Sequence, residues 1–147
     1  MNLAHHMKRA GGVAPSAPAL FNGDVCVADY ASAAARTASL AAALRQHFSL
    51  VPGSRVALLM KNVPDYVVCL YACWHAGLVA VPVNARLHPR EIAFILEDSG
   101  AAVVFVTADM ASSACSATAV MTAAKPAVVE IGTAEHHKLT RGAGMAV

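Results

Sequence analysis

Charge is scarce in this chain: Asp, Glu, Lys and Arg make up 14% of its 147 residues, and aromatic residues only 5%, with a single tryptophan. So little charge beside 57% apolar content excludes a disordered chain, whose composition runs the other way. Eleven basic residues against nine acidic ones give a net charge of +2. They are scattered and form no stripe, so no nucleic-acid partner is expected. Cys26, Cys69, Cys73 and Cys115 form no C-x-x-C pair, which leaves no ready redox or zinc framework. Neither G-x-x-x-x-G-K nor G-x-G-x-x-G occurs, so two common glycine-rich phosphate cradles are missing. The one tempting apolar run, Tyr66 to Val83, is broken by His75, Gly77 and Pro82 and reads as helix then strand, with no transmembrane segment. Lys8 and Arg9 are followed by no compact apolar stretch. No secretory signal is therefore expected, and cytoplasm is the default location.

What is present is dense α/β patterning. At this length one domain buries about 68–70% of its unfolded surface, enough for a real core. Residues Gly53 to Thr107 alternate strand, helix, strand, helix, strand. Val56, Ala57, Leu58 and Leu59 run continuously apolar, as strands covered on both faces do. Pro64 suits a first helical position and Asp65 complements the positive end of the helix dipole. Tyr66, Val67, Leu70, Tyr71, Cys73 and Trp74 wrap that helix, which is expected to be largely buried and to end at Gly77. Leu78 to Val83 is the next strand. Pro89 opens a second helix, with Ile92, Ile95 and Leu96 inward, Glu97 and Asp98 in solvent, and Gly100 closing it. Ala102 to Thr107 and then Ala127 to Ile131 follow as strands. Parallel strands need crossovers of about a dozen residues or more, and the spacing here provides them.

In front of this unit, Ala19 to Val27 around Asn22 and Gly23 predicts a hairpin turning on those two residues. Asp29 is expected to cap an alanine-rich helix reaching about Phe48. Tyr30, Thr37, Leu40, Leu44 and Phe48 share one face of it, and Arg36 and Gln46 lie on the opposite one. Residues 1–18, rich in Ala, Gly and Pro, are expected to be a flexible arm. Asp109 to Ala124 is weakly patterned, Glu135 to Leu139 is expected to form a helical turn, and the chain is expected to fray at Gly142 and Gly144.

The stretch GSRVALLMKNVPDYVVCLYACWHAGLVAVPVNARLHPREIAFILEDSGAAVVFVT resembles the N-terminal part of the AMP-forming acyl-CoA synthetases and related adenylate-forming ligases. The likeness runs through Pro52-Gly53 and the strand after it, then Asn62 and Pro64 opening a helix. It continues through Ala76-Gly77 into Val81-Pro82-Val83-Asn84, then Arg86-Leu87-x-Pro89-x-Glu91-Ile92 and Leu96-x-Asp98-Ser99-Gly100. Asp29-Tyr30-Ala31 stands where the family has a "T-Y-x-e-L" segment, its acidic residue replaced here around Ala33. The resemblance implies an incomplete subdomain of the ligase fold: hairpin and helix, then a βαβαβαβ parallel sheet over residues 19–142, with a frayed tail at 143–147. It implies ATP, Mg and CoA for the full-length family, whose phosphate loop and C-terminal catalytic domain lie downstream of the matched part.

Several residues invite a chemical reading. Asn84, Arg86 and His88 leave the carboxyl end of a strand, where α/β proteins bind ligands. The plainer reading has Asn84 making the turn, Arg86 pairing with a surface carboxylate and His88 capping the helix. Cys69 and Cys73 with His75 approach metal-ligand spacing, but a second ligand pair is lacking and buried cysteine is usually a small apolar side chain. His75 suits a helix end, His5 and His6 a solvated terminus, and His136 and His137 an exposed turn. No catalytic, cofactor-binding or metal residue is therefore assigned. The expected function is a truncated or split N-terminal subdomain of an ATP-dependent acid-CoA ligase, inactive alone, that self-associates or meets the rest of the ligase in trans. The alternatives are a non-catalytic interaction module and a free-standing nucleotide-binding domain.

Overall fold

The computed structural model describes residues 1–141. Its elements in order are α1 (Ala4–Val13), β1 (Pro18–Asn22), β2 (Val25–Asp29), α2 (Tyr30–Gln46), β3 (Arg55–Leu59), α3 (Pro64–His75) and β4 (Val79–Pro82). They are followed by α4 (Pro89–Ser99), β5 (Val103–Val106), a 3-10 turn (Ala108–Met110), α5 (Ala111–Val120), β6 (Ala127–Glu130) and α6 (Ala134–Arg141). β1 and β2 form an antiparallel hairpin, and the other four strands form one sheet in the order β4-β3-β5-β6. Every pair in that sheet is parallel, as the strand spacing predicts.

That order dictates where the helices go. The chain steps from β3 outward to β4, then crosses back past β3 to β5 and β6. Crossovers of one hand that step in opposite directions must lay their helices on opposite faces. Val56, Leu58, Val103, Phe105 and Val129 accordingly pack with α2 and α3. Ala57, Leu59, Val104 and Val106 pack with α4 and α5. The period-two alternation of side chains thus buries both faces, and β5 is buried at all four positions. Phe105 is the largest fully buried side chain.

Local chemistry sets the element ends. The Asp29 carboxylate accepts from the Ser32 N–H at 2.8 Å, so the expected cap starts α2, and this contact lowers the Asp29 pKa. His88 caps α4: its Nδ1 accepts from the Arg90 N–H at 3.2 Å, and Glu91 reaches back to accept from the His88 N–H at 2.8 Å. Gly100 ends α4 at φ 60°, where a side chain would be strained. No residue of α3 from Pro64 to Trp74 is exposed, and Val68, Cys69, Ala72 and Cys73 are fully covered.

Several expectations need correction. The arm at residues 1–18 contains α1, whose Ala4 and Met7 are buried and which packs on α2 and α3. Asn2 anchors its start by donating to the Trp74 carbonyl at 2.9 Å. Gly11 lets the two helices approach, since a Cβ there would lie 2.8 Å from the Ala34 Cβ. The glycines that suggest a loop are here a packing device. The hairpin turns one residue later than expected: Asn22 pairs with Val25, leaving Gly23 and Asp24 as the loop, with Gly23 at φ 59°. Glycine first is the pattern of a tight hairpin turn. Arg36 is not on a solvent face but half-buried against Asp65 of α3. Glu97 accepts from the Thr122 and Ala123 N–H groups beyond α5, contacts that hold its pKa down. The fraying expected at Gly142 and Gly144 and the tail at 143–147 lie outside the described residues.

Candidate functional site

In an open parallel sheet, ligands bind outside the carboxyl ends of the strands where successive connections diverge. Here that point is between β3, whose connection α3 covers one face, and β5, whose connection α5 covers the other. The residues that meet there are Lys61, Thr107 and Asp109. Lys61 Nζ lies 2.6 Å from Asp109 Oδ2, with both side chains substantially in solvent. The Lys61 N–H donates to the Thr107 hydroxyl at 3.3 Å, joining the ends of β3 and β5. Lys61 above all, and the Thr107 hydroxyl after it, hold the Asp109 carboxyl below its ordinary range. So exposed an ion pair contributes little to stability. It neutralises the lysine and does not hold the sheet together.

Beside this crevice a cleft of about 760 Å³ opens between the ends of β3 and β4, lined among others by Lys61, Asn62, Tyr66, Asn84 and Arg86. Burial raises the Tyr66 phenol above its ordinary value. Of the three residues weighed as a ligand loop, the fold brings Asn84 and Arg86 to this cleft and withdraws His88 to the cap of α4. Asn84 is also a turn residue, its Oδ1 accepting from the Arg86 N–H at 2.9 Å. Among the ion pairs of the described residues Arg86 has no carboxylate partner, contrary to the plainer reading. The cleft presents cationic and amide donors suited to an anionic group. It holds no nucleophile with an adjacent base.

The remaining candidates fall elsewhere. Cys69 and Cys73 are buried inside α3, and loss of solvent raises both thiols, Cys73 to about 12. A thiol that resists ionisation is a poor metal ligand. Among the described residues no group of three or more His, Cys, Asp or Glu is placed to hold a metal. His5, His6 and His75 are exposed, His75 at the end of α3. His137 is exposed as expected, but His136 is not: it is 1% exposed, its Nδ1 accepting from the Gly132 N–H at 3.3 Å and its Nε2 3.9 Å from Asp65 Oδ1.

Sequence reasoning missed two clusters: Lys61 with Thr107 and Asp109, and Arg36 with Asp65 and His136. The first depends on strand order, which no local pattern encodes. For the second there was a signal, a lone charge within the first three turns of an alanine-rich helix. No helix among the described residues is long and apolar enough to cross a membrane.

Comparison with known proteins agrees with this architecture. The chain is 42% identical over 78 residues to a long-chain-fatty-acid–CoA ligase of Haemophilus influenzae, covering 53% of this chain and 14% of that protein. It is 40% identical over 105 residues to a feruloyl-CoA synthase of Amycolatopsis, covering 71% of this chain and 21% of that protein. Among solved structures, the N-terminal domain of FACL13 from Mycobacterium tuberculosis superposes with a TM-score of 0.85 at 28% identity, over 97% of this chain and 37% of that one. The chain thus spans only a minor part of the relatives it matches. With the profile of the AMP-binding enzymes matching residues 7–143 on the doubly wound sheet described above, the chain belongs to the AMP-binding enzyme family.

Proposed function

We propose that this chain is the N-terminal part of an AMP-forming acid-CoA ligase and that it contributes scaffold, not chemistry, so that adenylation needs the remainder of the ligase. In that reaction a carboxylate oxygen attacks the α-phosphorus of ATP and pyrophosphate leaves. Donors must already surround the phosphorus, each contributing about 3 kcal/mol to the transition state, and a metal must neutralise the triphosphate.

The observation that carries the reading is the crevice between β3 and β5. It offers one lysine, and that lysine faces the Asp109 carboxylate, which would repel a phosphate. No Ser/Thr/Gly-rich turn with a lysine occurs in the sequence, and one exposed aspartate is short of a magnesium site. The residues present do not fit ATP with its metal, so no catalytic step is assigned to them.

A second reading, a non-catalytic interaction module, is favoured by the two edge strands of the sheet. Val79 on β4 and Val128 on β6 are both exposed, and such edges recruit partner chains.

The test is acid-dependent exchange of labelled pyrophosphate into ATP, measured first on the purified chain and then with a polypeptide carrying the phosphate loop and C-terminal domain added. The chain alone is expected to show no exchange and no micromolar ATP affinity, and the mixture to recover exchange. Exchange by this chain alone would overturn the proposal. A folded complex of both polypeptides without exchange would favour the interaction module.

A further inference from the structure

The Arg36, Asp65 and His136 cluster plays no part in the scaffold reading. It joins three elements: Arg36 Nη2 of α2 contacts Asp65 Oδ1 of α3, and His136 Nε2 of α6 lies 3.9 Å from the same oxygen. Because His136 Nδ1 accepts from the Gly132 N–H, the neutral ring carries its hydrogen on Nε2. That nitrogen is buried and has no hydrogen-bond partner among the described residues, since Asp65 is too far and already engaged by Arg36. The only site left for a second proton is Nδ1. A proton there would face the Gly132 N–H, donor against donor, and place a cation in a site with almost no solvent.

Helix α6 has little else to hold it. Its eight residues are too few to be stable alone, and it is docked through buried His136, Leu139 and Thr140, mainly on α2. Strands β3 and β5, by contrast, are enclosed on both faces. Local opening of α6 therefore needs much less free energy than opening of the sheet.

We propose that the Arg36–Asp65–His136 junction is an acid-released latch: a proton added to Nδ1 of His136 breaks its contact with Gly132 and frees α6 from α2 while the four-stranded sheet stays folded. Burial lowers the His136 pKa, Asp65 raises it by a smaller amount, and Arg36 and the neighbouring His137 lower it further. The folded-state value is thus depressed below the ordinary ~6.5 of the released ring. Between the two values the released form binds the extra proton and the docked form does not. Docking is therefore at full strength above about pH 6.5 and is lost as pH falls below it. The other charged or titratable groups on these elements are Tyr30, Arg45 and the flanking His47 of α2, Tyr66, Cys69, Tyr71, Cys73 and His75 of α3, Glu130 of β6, and Glu135, Lys138 and Arg141 of α6 itself. His47 and His137 are exposed and are retained when His136 alone is replaced.

Hydrogen exchange, corrected for intrinsic rates, tests this on the full chain at about pH 7.5 and about pH 5. Protection of residues 134–141 is expected to fall relative to that of Val103–Val106 at the lower pH, because a ring whose pKa is depressed by docking takes up its proton only at the expense of docking. In His136→Asn, whose amide oxygen can still accept from Gly132 but does not titrate, the ratio is expected to stay constant. NMR of the wild-type His136 ring supplies a reading that needs no variant: its titration midpoint must lie below the ~6.5 of a free imidazole, at the acid end of the range over which α6 protection falls. An unchanged ratio in the wild type, equal loss in sheet and helix, the same fall in His136→Asn, or a ring midpoint at or above about 6.5 would each overturn the latch.

Discussion

Burial divides the four cysteines into two chemical classes. Cys26 and Cys115 are exposed, whereas Cys69 and Cys73 are enclosed in α3 with thiols that resist ionisation. Only thiolates attack disulfide reagents. A chromogenic thiol reagent at mildly alkaline pH is therefore expected to titrate Cys26 and Cys115 rapidly in the native chain, and Cys69 and Cys73 only after denaturant is added. Fast reaction of either buried thiol would show that α3 opens readily. The same residues mark what a sequence discloses at this scale. Caps are local: Asp29, His88 and Gly100 can be assigned because each acts within three residues of itself. The burial of His136 is not local. Its neighbour Asp65 is remote in the chain, and a His-His pair in a short polar helix carries no mark of which ring turns inward.

At the scale of elements, the strands and helices from Gly53 to Thr107 were legible because prolines and glycines punctuate them and apolar runs fill them, whereas α5, built of Ala, Ser and Thr, was read only as weakly patterned. Helix α1 was not, because Gly11 and Gly12 read as loop residues when their packing is unknown. The two glycines now make opposite predictions. A helix-interior Gly→Ala change gains about 1 kcal/mol from propensity. At Gly12, where nothing lies within 4 Å of the added Cβ, this gain is expected to appear as higher stability, by about 0.5–1 kcal/mol. At Gly11 the new Cβ would meet the Ala34 Cβ at 2.8 Å and the Tyr30 carbonyl oxygen at 3.2 Å. α1 must then move off α2, and overpacking of this kind costs about 1–3 kcal/mol, which outweighs the propensity. Urea denaturation of Gly11→Ala and Gly12→Ala should move the midpoint down for the first and up for the second. A rise for both would mean that α1 does not pack on α2.

For the whole molecule, the consequential features are the surfaces left without a neighbour. Sheet order was beyond the sequence because each crossover is compatible with a step to either side, and order decides which strands become edges. With β4 and β6 outermost among the described residues, two rows of backbone donors and acceptors have no ladder partner in the sheet. The hairpin adds Phe21 at 52%, Val25 at 65% and Val27 at 47% exposure, large side chains on a two-stranded ribbon that is marginal by itself. Soluble monomers seldom leave open edges and apolar side chains uncovered together. In the FACL13 domain the matched part is 37% of a longer chain, so there is ample further protein in such a relative to cover them. The isolated chain is accordingly expected to bind a hydrophobic dye such as anilinonaphthalene sulfonate with enhanced fluorescence, and to associate with rising concentration in sedimentation velocity. Adding the complementary part of a ligase should suppress both effects, because the same surfaces would then be buried. Replacing Phe21 and Val25 by Ser should reduce dye binding without lowering the unfolding midpoint, since neither contributes to the buried core. A monomer at all concentrations that binds no dye would mean that these surfaces need no cover, and the case for a missing remainder would then rest on the absent phosphate loop alone.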